Sequence, residues 1–213
     1  MILSAVNISK AFVEHKVLQN VSFHIEENEK AAIVGINGAG KTTLLRILVG
    51  EMEPDEGQVT YARDATFGYL AQHQSVDSDN SIYEELLSVK QEFIDMEHQL
   101  RFLENEMKSA SDDTLETLME QYNKLTNRFE LGNGYAYRSE VVGILKGLGF
   151  TEEEFDKKIA TLSGGQKTRV ALGKMLLQKP DLIYLDEPTN HLDMSSIAWL
   201  ETYLLNYKGA VVI

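Results

Sequence analysis

The sequence has no cysteine, no apolar run long enough to cross a membrane and no recognisable leader, and each absence excludes a class of protein. Without cysteine the chain has neither a disulfide framework nor a Cys-type metal site, which fits a reducing cytosol. Its apolar runs fall far short of a membrane span. Residues 1–10 lack a basic segment followed by a long apolar stretch, so no signal peptide is expected. These absences predict a cytoplasmic protein.

Positive charge is also scarce. The chain has 20 Lys and Arg residues against 33 Asp and Glu, which gives a net charge of -13. A chain this acidic is soluble and is repelled, on average, by nucleic acid and by anionic membranes. The 213 residues, of which 43% are hydrophobic, suffice for one domain of generous size or for one core that carries an inserted lobe.

A glycine-rich segment, Gly35–Thr42, has the form GxxxxGK[ST]. The apolar run Ala31–Val34 precedes it and a helical pattern, residues 44–48, follows, which is the strand, loop and helix that a phosphate-binding loop requires. Glycines let the backbone N–H groups turn inward around a polyphosphate, and the helix N-terminus adds its positive dipole. We expect Lys41 to reach the β- and γ-phosphates and the Thr42 hydroxyl to bind Mg²⁺.

The remaining pattern predicts an α/β fold. Strands are expected at residues 2–8, 17–25, 59–61, 66–70, 182–187 and 210–213, and helices at about 136–148, 170–177 and 195–205. Phe12 falls in a turn-like region between the first two strands. Thr151 and Glu154 form a capping box that predicts a short helix.

Between the predicted strand at 66–70 and the later helices, apolar residues recur at spacings of 3 and 4 in two stretches, residues 93–107 and 115–129. A polar break, 108–113, separates them, and Asp113 with Glu116 predicts the start of the second helix. Two such stretches predict an antiparallel helical hairpin at about residues 90–130 that packs mainly on itself. The alternative is two helices on the domain surface. Residues 90–137 include five Lys or Arg and ten Asp or Glu, so the hairpin is acidic.

The apolar strand near the C-terminus ends in two carboxylates, Asp186 and Glu187. A phosphate-binding loop needs an acidic residue at the end of a neighbouring strand. We expect Asp186 to hold Mg²⁺ through water, and Glu187 to orient or deprotonate the attacking water.

Five segments together resemble one family. In order along the chain they are similar to the Walker A, Q-loop, signature, Walker B and D-loop motifs of ATP-binding cassette (ABC) ATPases: Gly35–Thr42, Gln72, Leu162–Gln166, Leu182–Glu187 and Asn190–Asp193. The Leu-Ser-Gly-Gly-Gln string is the most specific of them. The resemblance covers essentially the whole chain and implies one ABC nucleotide-binding domain, residues 1–213, with an antiparallel β subdomain, a helical subdomain and the hairpin as an inserted arm.

The resemblance also implies the roles of single residues, with ATP and Mg²⁺ as cofactors. Gln74 competes with Gln72 for the Q-loop position, and we prefer Gln72 because it follows its strand more directly. The implied catalytic residues are Glu187, Lys41 and Gln72, and the implied metal-binding residues are Thr42, Gln72 and Asp186. The implied nucleotide-binding residues, beginning with Phe12 for adenine stacking, are Phe12, Gly35, Ile36, Asn37, Gly38, Ala39, Gly40, Lys41, Thr42, Thr43, Ser163, Gly164, Gly165, Gln166 and Asp193.

Two features of the sequence, the inserted arm and the segment Pro188–Asp193, resemble one subclass of the family. Ninety positions separate Gln72 from Leu162, and the excess over a transporter subunit is the hairpin. The chain resembles the first cassette of ABC-F proteins, which are soluble, carry two cassettes and act on the ribosome as translation factors or in antibiotic resistance. The resemblance therefore implies the ribosome as a partner. The alternatives are the ATPase subunit of a membrane transporter and an ATP-gated binding module.

The sequence departs from the ABC-F pattern in two features, its C-terminal end and the charge of the arm. The family's switch histidine should follow the strand that begins at Ala210, so the chain resembles a cassette truncated at its C-terminus. In the family, Ser163–Gln166 cap the nucleotide of the opposite cassette. We therefore expect a partner cassette, from the same full-length chain or a second copy, and weak or no ATPase activity from the 213 residues alone. The arm is acidic, so we expect contact with a basic ribosomal protein rather than with RNA.

Overall fold

The computed structural model describes residues 1–13, 15–71 and 76–213, and its strands form two sheets. The first sheet is antiparallel, in the order β2-β1-β4, with β1 at Leu3–Phe12, β2 at His15–Ile25 and β4 at Glu56–Tyr61. The second is parallel, in the order β3-β7-β6-β5, with β3 at Lys30–Ala31, β7 at Ala210–Val212, β6 at Leu182–Leu185 and β5 at Phe67–Leu70. Because the strands of the second sheet are parallel, their carboxyl ends meet at one edge.

Seven α-helices are present in the described part of the chain. They are α1 (Lys41–Leu48), α2 (Ile82–Leu87), α3 (Gln91–Met107), α4 (Asp112–Leu131), α5 (Tyr137–Gly147), α6 (Gly164–Gln178) and α7 (Met194–Leu205). The helices α2, α5, α6 and α7 pack on one face of the parallel sheet, while α1 and the antiparallel sheet pack on the other. This arrangement confirms the predicted fold class, including the β and helical subdomains.

Strand β6 contributes side chains to the hydrophobic cores on both faces of the parallel sheet. All four residues are buried, which is typical of a parallel strand covered on both faces. Side chains alternate between the faces of a strand. Accordingly Ile183 and Leu185 lie in the core formed with the helices, while Leu182 and Tyr184 lie in the core formed with the antiparallel sheet. The next residue, Asp186, therefore lies at the carboxyl edge of a fully buried strand.

Several predicted boundaries were wrong. Phe12 is the last residue of β1 and pairs with His15, instead of lying in a turn. The strand before the glycine-rich loop is only two residues long, although the Ile33 amide still donates to the Ile213 carbonyl at 2.7 Å and continues the pairing with the neighbouring chain segment. Val34, predicted as the end of that strand, is 91% exposed.

Two helix starts also differ from the prediction. Helix α4 begins at Asp112 after the N-cap Ser111, earlier than the Asp113 and Glu116 pattern predicted. Helix α6 begins at Gly164 rather than Val170, because the side chain of the preceding serine caps it. The capping box predicted at Thr151 is confirmed, but the element it starts is a single 3₁₀ turn.

The helical hairpin consists of α3 and α4, which pack on each other in antiparallel directions. Tyr122 Oη donates to Glu104 at 2.9 Å across the pair, and Arg128 Nη2 donates to Glu92 at 2.5 Å nearer the base. At the base, however, buried Met96 and Phe129 pack against Tyr137, which lies outside the hairpin. The hairpin, predicted to pack mainly on itself, therefore also packs against the rest of the domain at this end.

The base contacts predict that two deletions will differ in stability. Replacing residues 101–124 with a short linker keeps Met96 and Phe129 on Tyr137, so the free energy of unfolding should change little. Removing residues 91–131 deletes Met96 and Phe129 from this cluster. The free energy of unfolding should then fall by about 3–5 kcal/mol, the usual cost of losing a large buried side chain. Urea unfolding of the two variants and the parent chain measures the difference. Equal stability of the two variants would show that the base contacts contribute nothing.

Candidate functional site

The glycine-rich loop joins β3 to α1 and has the backbone of a phosphate-binding loop. Gly38 and Gly40 adopt φ angles of 82° and 95°, which favour glycine. A Cβ on Gly40 would lie 2.6 Å from Val17 Cγ1 of β2, so only glycine fits at this approach. Gly40 is also the N-cap of α1 and provides no side-chain cap. The amides of the first turn are therefore directed at the loop, where an anion would bind.

Lys41 lies across this loop. Its ammonium donates to the carbonyl oxygens of Gly35 at 3.0 Å and Ile36 at 3.3 Å. A lysine ammonium has three N–H donors, and the two carbonyls keep it directed along the loop. The ammonium is thus held against the loop backbone. Its contact with the β- and γ-phosphates stays a prediction.

A cleft of about 400 Å³ brings the loop together with a distant carboxylate. It is lined by Val17, Asn37, Gly38, Gly40, Lys41, Thr42, Thr43 and Glu187. Glu187 lies two residues after the end of β6 and has a φ angle of 52°, which is unusual for a residue with a long side chain. Asn190 Nδ2 donates to Glu187 Oε2 at 2.9 Å and helps to fix the carboxylate. The cleft therefore combines a cation, two hydroxyls and a positioned carboxylate.

Asp186 is the buried neighbour of this cleft residue. Its side chain is almost fully buried, and its Oδ2 atom has no hydrogen-bond partner within the described ranges, 1–13, 15–71 and 76–213. Burial, together with the charge of Asp186, raises the pKa of the Tyr69 hydroxyl. A buried carboxylate oxygen without a partner is costly, and a bound cation would satisfy it.

The donor set fits a hydrated magnesium ion. No group of three His, Cys, Asp or Glu side chains in the described residues could hold a metal by itself. Mg²⁺ instead keeps several waters and binds one or two protein oxygens together with substrate phosphates. Asp186 and the Thr42 hydroxyl suit that mode. Gln72, the third predicted metal-binding residue, and its competitor Gln74 lie outside the described residues.

The signature segment forms the start of α6. The Gln166 amide donates to Ser163 Oγ at 3.3 Å, and the Ser163 amide donates back to Gln166 Oε1 at 3.0 Å. Ser163 and Gly164 are exposed, and the segment does not line the cleft at Lys41. It is therefore a separate, outward-facing helix N-terminus.

Phe12 and Asp193 also lie outside the cleft lining, as do three predicted nucleotide-binding residues of the loop itself, Gly35, Ile36 and Ala39. Phe12 is 44% exposed at the end of β1, and the strand residue that does line the cleft is Val17. Asp193 caps α7, because its Oδ1 accepts from the Ser196 amide and from Ser195 Oγ, each at 2.8 Å. These hydrogen bonds lower the pKa of the Asp193 carboxyl. Val17 carries no sequence signal, since an apolar residue in a strand is ordinary.

Sequence reasoning also missed Arg169, which joins α6 to the residues around Asp193. Its Nη1 donates to the Leu148 carbonyl at 2.9 Å, and its guanidinium lies 4.6 Å from the centre of the Phe150 ring. A Cβ on Gly149 would meet Arg169 Nη1 at 3.2 Å and Asp193 Oδ2 at 3.4 Å, so these groups surround the glycine closely. Arg169 therefore holds the signature helix against the segment that follows α5, beside the N-terminus of α7.

Replacing Arg169 with leucine is expected to lower the free energy of unfolding by about 1–3 kcal/mol, because the Leu148 carbonyl loses its donor. Arg169→Lys should recover part of the loss, since it keeps the charge but not the planar stack. Urea unfolding provides the measurement. The control is Arg63→Leu, whose side chain is 95% exposed, with an expected change below about 0.5 kcal/mol. Equal effects at the two positions would contradict the role of Arg169.

Comparison with known proteins places these features in a family. The sequence pattern of the ABC transporter family matches residues 18–190. The chain is 45% identical over its whole length to the putative ATP-binding protein YdiF of Bacillus subtilis, and covers 33% of that protein. It is 36% identical to ABC transporter F family member 2 of Arabidopsis thaliana, over 97% of the chain and 31% of the relative. It is 38% identical to the tylosin resistance ATP-binding protein TlrC of Streptomyces fradiae, over 99% of the chain and 38% of the relative.

The fold is similar to that of a solved ATP-binding subunit of an ABC transporter. The TM-score is 0.68 at 20% sequence identity, over all of this chain and 78% of the other. At that identity the likeness concerns the fold alone. The chain spans only about a third of the length of the curated relatives. In the described residues, no helix combines the length and apolarity needed to span a bilayer.

Proposed function

Because the chain belongs to the family of ATP-binding cassette ATPases, we propose that it binds Mg-ATP in the cleft at Gly35–Thr42 and hydrolyses it when a second cassette closes on it. The observation that carries the proposal is the presence of Glu187 in the same cleft as Lys41 and Thr42. These residues are far apart in sequence, and the cleft supplies a phosphate site and a base together.

The chemistry follows from the positions of these groups. The loop amides and Lys41 would hold the β- and γ-phosphates and neutralise part of their charge. Bound Mg²⁺, held by Thr42 and Asp186, would add charge neutralisation at the same phosphates. Glu187 would accept a proton from water as the water oxygen bonds to the γ-phosphorus and the bond from that phosphorus to the β–γ bridging oxygen breaks. The products are ADP and inorganic phosphate.

We further propose that the full-length protein is an ABC-F protein that acts on the ribosome, with residues 1–213 as its first cassette. Two observations support this class. An acidic helical hairpin is inserted between β5 and the signature helix, and the relatives include an F family member and a tylosin resistance protein. Ser163 and Gly164 of the signature segment are exposed, as a segment that caps the nucleotide of a partner cassette would require.

The test uses the full-length protein with Glu187 and the corresponding glutamate of the second cassette changed to glutamine. Retained ATP should hold the cassettes closed, and the protein should sediment with purified ribosomes only when ATP is present. Adding Lys41→Ala to the same protein should abolish ATP-dependent sedimentation. A trapped protein that binds ATP but not ribosomes would refute the ribosomal role. Stimulation of its ATPase by a membrane partner would favour the transporter alternative.

A further inference from the structure

The chain has two Asn-Gly pairs, Asn37-Gly38 in the phosphate-binding loop and Asn133-Gly134 after α4. Asparagine is chemically unstable before glycine, because glycine has no Cβ to keep its nitrogen away from the asparagine side chain. The same reaction is therefore available at two places in the chain, and the structure around each pair determines where it proceeds.

Asn37 and Gly38 are both exposed. They are the two central residues of a turn, which the Ala39 amide closes by donating to the Ile36 carbonyl at 3.1 Å. Gly38 has a φ angle of 82°, and the second central residue of a type II turn needs such a positive angle. In the part of the chain that the structure describes, neither the amide of Asn37, its side chain nor the amide of Gly38 makes a hydrogen bond. The groups that would react are therefore accessible and free.

The second pair is held in place by its neighbours. The Asn133 amide donates to the Glu130 carbonyl at 2.9 Å, and the Asn133 carbonyl accepts from the Ala136 amide at 3.0 Å. Gly134 is buried against Phe129, since a Cβ on this glycine would lie 2.5 Å from a carbon of the ring. Rotation of the main chain between Asn133 and Gly134 would break the hydrogen bond from Ala136 and move the glycine into the ring. The local packing therefore opposes the reaction at Asn133.

We propose that Asn37 is a site of spontaneous deamidation and that bound nucleotide protects it. The Gly38 nitrogen bonds to the side-chain carbonyl carbon of Asn37 and loses its proton, while the departing side-chain nitrogen gains one and leaves as ammonia. Water then opens the succinimide ring and yields an aspartate or an isoaspartate at position 37. While the Gly38 N–H donates to a phosphate, its nitrogen is engaged and the attack is blocked.

The product changes the charge of the nucleotide cleft. Asn37 lines that cleft together with Lys41 and Glu187, whose formal charges cancel. An aspartate at position 37 adds a negative charge there, and an isoaspartate also lengthens the main chain of the loop by an extra carbon atom. The added charge should weaken ATP binding by about tenfold or more. This effect and the protection by nucleotide rest on the function proposed above, whereas the deamidation itself does not.

The first experiment compares the two pairs within one sample. The 213-residue chain is incubated without nucleotide in mildly alkaline buffer, digested and analysed by mass spectrometry for the mass gained when an amide becomes a carboxylate. Asn37 should convert at least about tenfold faster than Asn133, because Asn133 must first lose its hydrogen bonds. A synthetic peptide of residues 31–45 shows that the buffer supports the reaction. An intact Asn37 in a sample whose peptide converts, or equal rates at the two asparagines, would overturn the modification site.

The second experiment adds nucleotide. Mg-ATP at about ten times its Kd should slow the conversion of Asn37 by about tenfold, because only the free chain reacts, and should leave the rate at Asn133 unchanged. By calorimetry, the freshly purified Asn37→Asp variant should already show the weakened ATP binding. Asn37→Gln, whose longer side chain closes a ring far more slowly, should keep its own initial affinity through an incubation that weakens the parent.

The outcomes separate this proposal from the function on which part of it rests. If ATP binds and Asn37 still converts at the same rate, the protection by nucleotide is refuted. If the incubated parent chain converts at Asn37 and keeps its full ATP affinity, the effect on binding is refuted. If the fresh parent chain does not bind ATP, the proposed function fails, and the mass analysis of the nucleotide-free chain still decides whether Asn37 deamidates.

Discussion

Replacing Glu187 with glutamine in the full-length protein is expected to slow ATP hydrolysis by about 10²–10⁴-fold, the range for loss of a general base. The amide has the same shape as the carboxylate, and it keeps an oxygen that can accept the hydrogen bond from Asn190. ATP should bind with little change, because the phosphate contacts come from the loop. Phosphate release in steady state gives the rate, and calorimetry gives the affinity.

The control for this substitution is Glu201→Gln, an exposed glutamate of α7. Its turnover should match that of the parent, since it has no place in the cleft lining. Unchanged hydrolysis by the Glu187 variant would remove this residue from the mechanism. If the Glu187 variant lost ATP affinity to the same extent as hydrolysis, the result would assign Glu187 to ATP binding instead of to the chemical step.

Replacing Lys41 with alanine is expected to weaken ATP binding by about 10- to 100-fold, which corresponds to the loss of one charge-assisted hydrogen bond of about 1.5–3 kcal/mol. The affected step is binding, in contrast to the Glu187 variant, because Lys41 lies on the loop that we propose holds the phosphates. Titration calorimetry on the 213-residue chain measures the effect directly, and does not require a second cassette.

This measurement needs a control for the structure of the loop. Lys41 also donates to the carbonyls of Gly35 and Ile36, so its loss removes two internal hydrogen bonds. A thermal melt should show that the variant remains folded. Lys157→Ala, which removes an exposed lysine paired with Glu154, should leave ATP affinity unchanged. Equal affinity of the parent and the Lys41 variant would refute the assignment of the loop.

The sequence by itself determined those features that depend on neighbours along the chain. The phosphate-binding loop was evident because glycine spacing, a preceding apolar run and a following helical pattern all lie within about 20 residues. The carboxylates after β6 were evident because a fully buried parallel strand reads as a continuous apolar run. The hairpin was evident from its spacings of 3 and 4, which reflect one face of a helix.

Only the tertiary structure decided which distant residues meet. It placed Glu187 in the same cleft as Lys41, since β6 and the strand before the loop belong to one sheet whose carboxyl ends share an edge. It set Arg169 beside Asp193 and Tyr137 beneath the hairpin. None of these contacts produces a pattern among neighbouring residues in the sequence, because the identity of an apolar or charged residue does not show which element packs against it. Long-range packing determines which residues contact one another. The periodicity of apolar residues along one element indicates only which of its faces is buried.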